Sequence, residues 1–198
     1  MSKPNIYLGL VHNPVYDRNM RIVTTSVTNL DIHDISRSCL SFGVKKYFLI
    51  TPVESQHQLV RRILSFWETE MAKAYNADRN AALQVLMMSN SIDEAIKWIK
   101  NQEGSDPVVI TTTARAQENQ LCFSDFIKVY QKNKPILLLF GTGNGLVKEV
   151  HDQADFILEP VSGVSDYNHL SVRSAVAIIL DRISSVEYKE EPWTSFKP

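Results

Sequence analysis

Two stretches near the C-terminus hold the residue types and spacings best suited to chemistry. The first is Pro135-Ile-Leu-Leu-Leu-Phe-Gly-Thr-Gly-Asn-Gly-Leu146; the second runs from Phe156-Ile-Leu-Glu-Pro-Val-Ser-Gly163 into Asn168-His-Leu-Ser-Val-Arg-Ser-Ala-Val-Ala-Ile-Ile179. Each passes from an apolar strand to a loop of small residues and then to a helix, which is how α/β folds build ligand sites at strand C-termini. Gly141, Gly143 and Gly145 permit positive φ, or close approach of a ligand to bare backbone. A P-loop needs a lysine after its last glycine, and Leu146 stands there instead. A Rossmann fingerprint is a closer rival, since Glu159 ends the next strand where a ribose-binding acid belongs. Leu146, however, takes the third glycine position, and the helix expected over Leu146–Gln153 is short. An ordinary turn without ligand is the third reading, although three alternating glycines exceed what a tight connection needs.

The second loop, Glu159–Asn168, is long for a βα connection and leads to a helix expected to start near His169 or Leu170, with Asp166 or Asn168 as its cap. Together the loops form a plausible cradle for an adenosine moiety held by main-chain groups. Neither contains lysine or arginine, which suits a cationic sulfonium better than a polyphosphate. Asp166, Tyr167 and His169 supply acid/base choices beside this cradle, against the commoner roles of cap and hydrogen-bonded loop residue. His12 and Asn13, with His33 and Asp34, invite a metal or His/Asp dyad reading that their separation and spacing weigh against.

Apolar runs suited to buried parallel strands recur at Ile6–Val11, Lys46–Thr51, Gln84–Met88, Val108–Thr112, Ile136–Phe140 and Asp155–Leu158. Helical periodicity lies between them at Asp31–Phe42, Gln56–Trp67, Ile92–Lys100 and Asp125–Lys132, with Ser91 and Ser124 as caps, and again at Val172–Ile183. This alternation predicts an α/β fold: a mostly parallel sheet with helices on both faces. Polar loops at Asn13–Asn19 and Thr113–Gln120 are candidate site-forming segments. The expected organisation is one domain over residues 1–186 and a charged tail over 187–198, where Trp193 and Phe196 are placed to dock on a neighbour.

The 198 residues suffice for one substantial core. A formal charge of −1 argues against a protein that coats nucleic acid by bulk positive charge, while a local basic patch stays possible. Cys39 and Cys122 lack CxxC spacing and read as buried free thiols, which suits a reducing cytoplasm. No apolar run approaches the roughly 20 residues of a membrane span, so a membrane is not an expected partner; DNA is not expected as a partner either.

The same stretches resemble the SPOUT superfamily of S-adenosylmethionine-dependent RNA methyltransferases, over nearly the whole chain. The family's second motif is matched by Pro135, Leu138, Phe140, Gly141, Gly145 and Leu146, with one residue fewer between the last landmark glycines. Its third is matched by Leu158, Pro160, Gly163 and Asn168-His-Leu-Ser-Val-Arg-Ser-Ala-Val-Ala-Ile, and its first by Arg37-Ser-Cys-Leu-Ser-Phe-Gly43. Asn29 lies two residues further from Arg37 than the family pattern has it. Val23-Thr-Thr-Ser-Val-Thr-Asn-Leu-Asp-Ile-His-Asp34 is similar to a small bacterial subgroup sometimes attached to a tRNA guanine-N1 methyltransferase.

The resemblance implies a C-terminal trefoil knot, an obligate homodimer, and S-adenosylmethionine held by Leu139, Phe140, Gly141, Thr142, Gly143, Leu158, Glu159, Pro160, Gly163, His169, Leu170 and Ser171, with Thr112 at the end of the preceding strand. It implies tRNA or rRNA as acceptor. Arg37 is the first catalytic candidate, orienting a phosphate or activating a ribose hydroxyl across the dimer interface; Ser171 and Asp166 are the others. The alternatives are a non-catalytic knotted RNA- or partner-binding module and a Rossmann nucleotide enzyme. Basic residues at Lys45–Lys46, Arg61–Arg62, Lys97, Lys100 and Lys128–Lys132–Lys134 are scattered, and form an RNA track only if the fold gathers them. Trp67, Trp98 and Tyr130 read as packing residues before base-stacking ones.

Overall fold

A computed structural model describes residues 5–130, 134–165 and 167–187. Its centre is a six-stranded, wholly parallel sheet in the order β5-β4-β1-β7-β6-β8. The strands are β1 (Ile6–Val11), β4 (Lys46–Ile50), β5 (Leu86–Ser89), β6 (Val108–Thr112), β7 (Ile136–Gly141) and β8 (Phe156–Leu158). A small antiparallel hairpin, β2 (Val15–Tyr16) with β3 (Ile22–Val23), sits apart from it.

The strands read as continuous apolar runs because both faces are covered. In β1, Ile6, Leu8 and Leu10 point into one core, and Tyr7 and Val11 into the other. The first core packs under α1 (Asn29–Ser41), α2 (Glu54–Trp67), α3 (Glu70–Tyr75), α4 (Ala77–Leu83), α6 (Phe126–Tyr130) and α8 (Val172–Glu187). The second packs under α5 (Ile92–Glu103) and α7 (Lys148–Asp152). Gly9 is where β1 and β7 crowd most: a Cβ there would stand 2.7 Å from Leu139 Cδ2.

Helix ends follow side-chain chemistry more than periodicity. Thr28, whose side chain accepts from the Asp31 N–H, starts α1 two residues before the expected Asp31, and Gly43 at φ +70° follows its end. Ser91 caps α5 as expected. The expected Asp125–Lys132 helix is a 3-10 turn over Phe123–Asp125 followed by α6, and its end at Lys132 lies outside the described residues. Cys39 is buried as expected, but Cys122 is exposed, because it precedes that turn on the surface. Trp67 is core and Trp98 packs edge-on against Tyr7 and Phe48. The proposed tail with Trp193 and Phe196 lies outside the described residues. Among those described, no helix is long and apolar enough to cross a membrane.

The connection leaving β1 runs through α1 to β4, whereas the one leaving β7 runs through α7, on the opposite face, to β8. The winding therefore reverses between β1 and β7. Open α/β sheets place their ligand crevice at such a reversal, outside the strand C-termini.

Candidate cofactor and substrate site

The glycine loop begins where β7 outruns its neighbour. The last residue of β7 paired with β6 is Leu139, opposite Thr111, while Phe140 and Gly141 pair with β1 alone. The β6-facing edge of the chain is thus open from Phe140 onward, beside the loops that follow β6 and β8. The other flank is closed by the hairpin: Tyr16 N–H donates to Gly145 O at 2.9 Å and Asn144 N–H to Tyr16 O at 2.8 Å. Gly143, at φ +58°, lets the loop pass within reach of Tyr16; a Cβ there would stand 2.8 Å from the Tyr16 carbonyl oxygen. Part of the glycine pattern therefore serves contact between loop and hairpin, while Gly145 has nothing within 4 Å of a would-be Cβ.

The segment after β6 pairs in parallel with the end of β8, through a bridge between Leu121 and Leu158. Leu121 N–H donates to Ile157 O and Glu159 N–H to Leu121 O, at 2.8 and 3.0 Å. Asn168 Nδ2 donates to Ala114 O at 2.9 Å. Glu159 Oε1 accepts the Phe123 N–H at 2.6 Å, so this carboxylate anchors the 3-10 turn. The acid that a Rossmann reading would place on a ribose is thus turned toward the 3-10 turn with one of its oxygens.

Other predicted residues divide by what is left to offer a ligand. Leu139, Phe140 and Leu158 bury their side chains completely or nearly so, leaving only backbone. Thr112 Oγ1 donates to Leu139 O at 3.0 Å, so that hydroxyl already ties β6 to β7. Pro160 is half-buried; Gly163, His169, Leu170 and Ser171 lie along the rim, with Gly163 open to solvent. Ser171 Oγ accepts the Ser174 N–H at 3.2 Å and caps α8, a role the sequence assigned to Asp166 or Asn168. The helix starts at Val172, not His169, because the Asn168 side chain is spent on Ala114. Asp166 lies outside the described residues. Arg37 stands exposed on α1 and, among the described residues, forms no hydrogen bond or ion pair with either loop.

Residues 5–185 match the family described as SAM-dependent RNA methyltransferase. The chain belongs to that family. An uncharacterized protein of Aquifex aeolicus (strain VF5) is 36% identical over 186 residues, covering 93% of this chain and 91% of that one. The tRNA (guanine-N(1)-)-methyltransferase of Oleidesulfovibrio alaskensis is 41% identical over 179 residues, which are 90% of this chain but 42% of that protein. The chain thus spans less than half of that relative. Among solved structures, a probable methylase family protein from Haemophilus influenzae Rd KW20 superposes with TM-score 0.63 at 17% identity, over 98% of this chain and 74% of that one. The SpoU methyltransferase AviRb from Streptomyces viridochromogenes, solved in complex with AdoMet, gives TM-score 0.55 at 15% identity, over 96% of this chain and 61% of that one. These likenesses bear on the fold, which is the α/β fold of SpoU-type SPOUT methyltransferases, as the sequence motifs implied.

In this methyltransferase the sequence reading overlooked a buried polar chain behind the glycine loop. Thr142 Oγ1 donates to Val11 O at 3.0 Å, so it accepts from Thr25 Oγ1 at 2.5 Å. Thr25 Oγ1 in turn accepts from His12 Nδ1 at 2.9 Å. This order places the ring proton on Nδ1 and leaves the buried Nε2 as a bare lone pair, consistent with its lack of any partner. His12 was read as a metal or dyad candidate. Among the described residues no metal-binding group of three forms, Asp34 pairs with Arg173, and His33 packs edge-on against Trp67.

Burial pushes the His12 imidazole down to about 4. In the unfolded chain it protonates near about 6.5, so its share of stability is complete above that pH and is lost as pH falls toward 4. The loss reaches about 2 kcal/mol by about pH 5. His33 and His151 are lowered too, mainly by burial, and act in the same direction. Glu103, held down to about 2 chiefly by the Lys45 hydrogen bond, adds a loss only below its ordinary 4.5. Urea unfolding near neutral pH and near pH 5 checks this: a His12→Asn chain is expected to lose distinctly less between the two conditions than wild type. An equal loss would show that His12 is not held neutral by the fold.

Another missed contact is Arg173, which donates to Asp31 at 3.2 Å and to Asp34 at 3.3 Å and so ties the start of α8 to α1. Its only sequence signal was its place within the third motif.

Proposed function

We propose that the chain transfers a methyl group from S-adenosylmethionine to a nucleotide of tRNA, as a cytoplasmic homodimer, with the cofactor seated among the loops after β6, β7 and β8. The carrying observation is the open edge of β7 at Phe140–Gly141, beside the paired segments after β6 and β8, inside a chain whose residues 5–185 match the family. The residues suit that cofactor. No cation occurs in Gly141–Val147 or Glu159–Leu170, Gly145 and Gly163 leave open space, and Val164, Tyr167 and Leu170 present exposed apolar surface. The bound cofactor would supply an electrophilic methyl carbon on a sulfonium.

In this reading the loop backbone at Phe140–Gly143 and Leu158–Gly163 holds the donor, while Thr112, Glu159 and Thr142 keep the loops in shape. The protein's main task is to hold donor and acceptor about 3–3.5 Å apart. Ser171 offers its hydroxyl at the rim, Arg37 orients the RNA backbone from the partner subunit, and Asp166 takes a proton where the acceptor carries one. The contacts of Leu121 with Leu158 and of Ala114 with Asn168, which hold the segments after β6 and β8 together, support the trefoil knot. The tRNA assignment rests on the relatives' names, and free cysteines support the cytoplasm.

A non-catalytic RNA-binding module is favoured by one observation: Glu159, the described carboxylate of the loop after β8, holds the Phe123 N–H with one of its oxygens. Calorimetric titration with S-adenosylmethionine, with NAD as control, followed by transfer of labelled methyl groups to tRNA and to rRNA, separates the readings. Selective cofactor binding and labelling of tRNA are expected. Cofactor binding without labelling of either RNA supports the module, and a folded protein that binds no cofactor overturns the proposal.

A further inference from the structure

On the far flank of α1 from α8 lies an open groove of about 380 Å³, lined among others by Asn29, His33, Arg62, Phe66, Trp67 and Arg79. Several lysines and arginines elsewhere, such as Arg61 with Glu54 and Lys100 with Asp106, find a carboxylate partner nearby. Arg62 and Arg79 form no ion pair among the described residues, and the groove lining contains no carboxylate. Arg79 instead stacks 5.0 Å from the centre of the Trp67 ring. Phe66 is 52% exposed, a large aromatic left in water beside two free guanidinium groups. Burial lowers the His33 imidazole, as do the charges of Arg79 and Arg37 against an opposing pull from Asp34, so both arginine charges act on the groove wall.

Free arginines beside an exposed ring suit one ligand chemistry, a polyanion with flat bases: guanidinium forks hold phosphates and the ring carries a base. The position fits. Asn29 and His33 occupy the first turns of α1, whose other flank is fixed by Arg173 to the start of α8, directly after the candidate cofactor loop. A strand lying in the groove needs to pass over only the end of α1 to reach that loop.

We propose that this groove is an RNA-binding subsite, in which Arg62 and Arg79 hold backbone phosphates and Phe66 stacks an unpaired base of the strand that delivers its nucleotide to the methyl donor. The inference rests on the RNA methyltransferase reading but is separable from it. The test is binding of a tRNA transcript and a short single-stranded RNA across a salt series, by wild type and by Arg62→Gln/Arg79→Gln. The expected result is about tenfold weaker binding, with a salt slope lower by about 0.7 for each single-strand phosphate no longer held by a guanidinium. S-adenosylmethionine affinity should be unchanged. Lys97→Gln/Lys100→Gln removes the same charge from α5 on the opposite face and should change the slope far less. Phe66→Ala, which leaves every charge in place, should weaken RNA binding without altering the slope. Equal losses from both charge pairs, or no loss from Arg62→Gln/Arg79→Gln, overturn the subsite. A change in oligomeric state with RNA binding intact also overturns it and assigns the groove to a second copy of the chain. Groove-dependent RNA binding by a protein that ignores S-adenosylmethionine would sink the catalytic reading and leave the subsite standing.

Discussion

Arg37→Ala is expected to lower methyl transfer by about 10²–10³-fold, with S-adenosylmethionine affinity and folding stability essentially unchanged. The arginine is exposed and, unlike Arg173, has no carboxylate partner among the described residues, so its removal takes little from the fold. Surface substitutions of this kind usually stay within about 0.5 kcal/mol. Its proposed work is done on the acceptor: a guanidinium that fixes a phosphate or steadies charge on a ribose oxygen contributes most in the transition state. Arg37→Lys should recover only part of the rate, because an ammonium keeps the charge but not the two-pronged geometry. Mixing Arg37→Ala with a variant disabled in its cofactor loop provides the sharper measurement. Restored activity in mixed dimers means the arginine of one subunit serves the site of the other, and undiminished activity in Arg37→Ala alone would remove it from the mechanism.

Gly141→Ala carries the second large effect, and here the fold itself responds. The added Cβ would stand 2.6 Å from Leu146 N and 2.9 Å from Gly145 C, both backbone atoms of a loop clamped by its hydrogen bonds to Tyr16. No side chain can swing aside, so the loop must open. Overpacking of this sort costs about 1–3 kcal/mol, which lowers Tm by about 2–4 °C per kcal/mol in a chain of this size. Because the displaced atoms form the proposed cradle, cofactor affinity should fall at least about tenfold in proportion to the loop's distortion. Gly163→Ala is the matched comparison for stability. Its Cβ meets nothing within 4 Å, so Tm should hold or rise slightly. Calorimetric titration and thermal unfolding of both variants decide the matter; a Gly141→Ala protein with wild-type Tm and affinity would show that the loop is looser than its contacts imply.

Much of the architecture was written in periodicity. Continuous apolar runs such as Ile6–Val11 and Ile136–Phe140 announce strands covered on both faces, because a one-sided sheet would alternate. Helix ends marked by Ser91 and Gly43 were legible because a capping hydroxyl or a positive φ is a local property of one residue. The short helices α3 and α4 were missed, since Thr69 and Asn76 cap segments too brief to show a full apolar face. The hairpin at Val15–Tyr16 was read as loop for a similar reason: two residues carry no period, and its partners on the glycine loop lie more than a hundred positions away.

The sequence by itself determined the two glycine-bearing strand ends, the parallel α/β class and the family resemblance, because each depends on residues close together in the chain. Only the tertiary structure decided what those residues have left to give. It ties one oxygen of Glu159 to Phe123, spends the Thr112 hydroxyl proton on Leu139 and makes Ser171 the cap of α8, and it turns His12 from a metal candidate into a neutral buried donor to Thr25. It also gathers Arg62 and Arg79 around one aromatic wall while pairing several other cations with nearby carboxylates. The physical reason is common to all of these: a hydrogen-bonding or charged group is available to a ligand only when the fold has not already satisfied it, and which partner arrives is set by packing between segments distant in sequence.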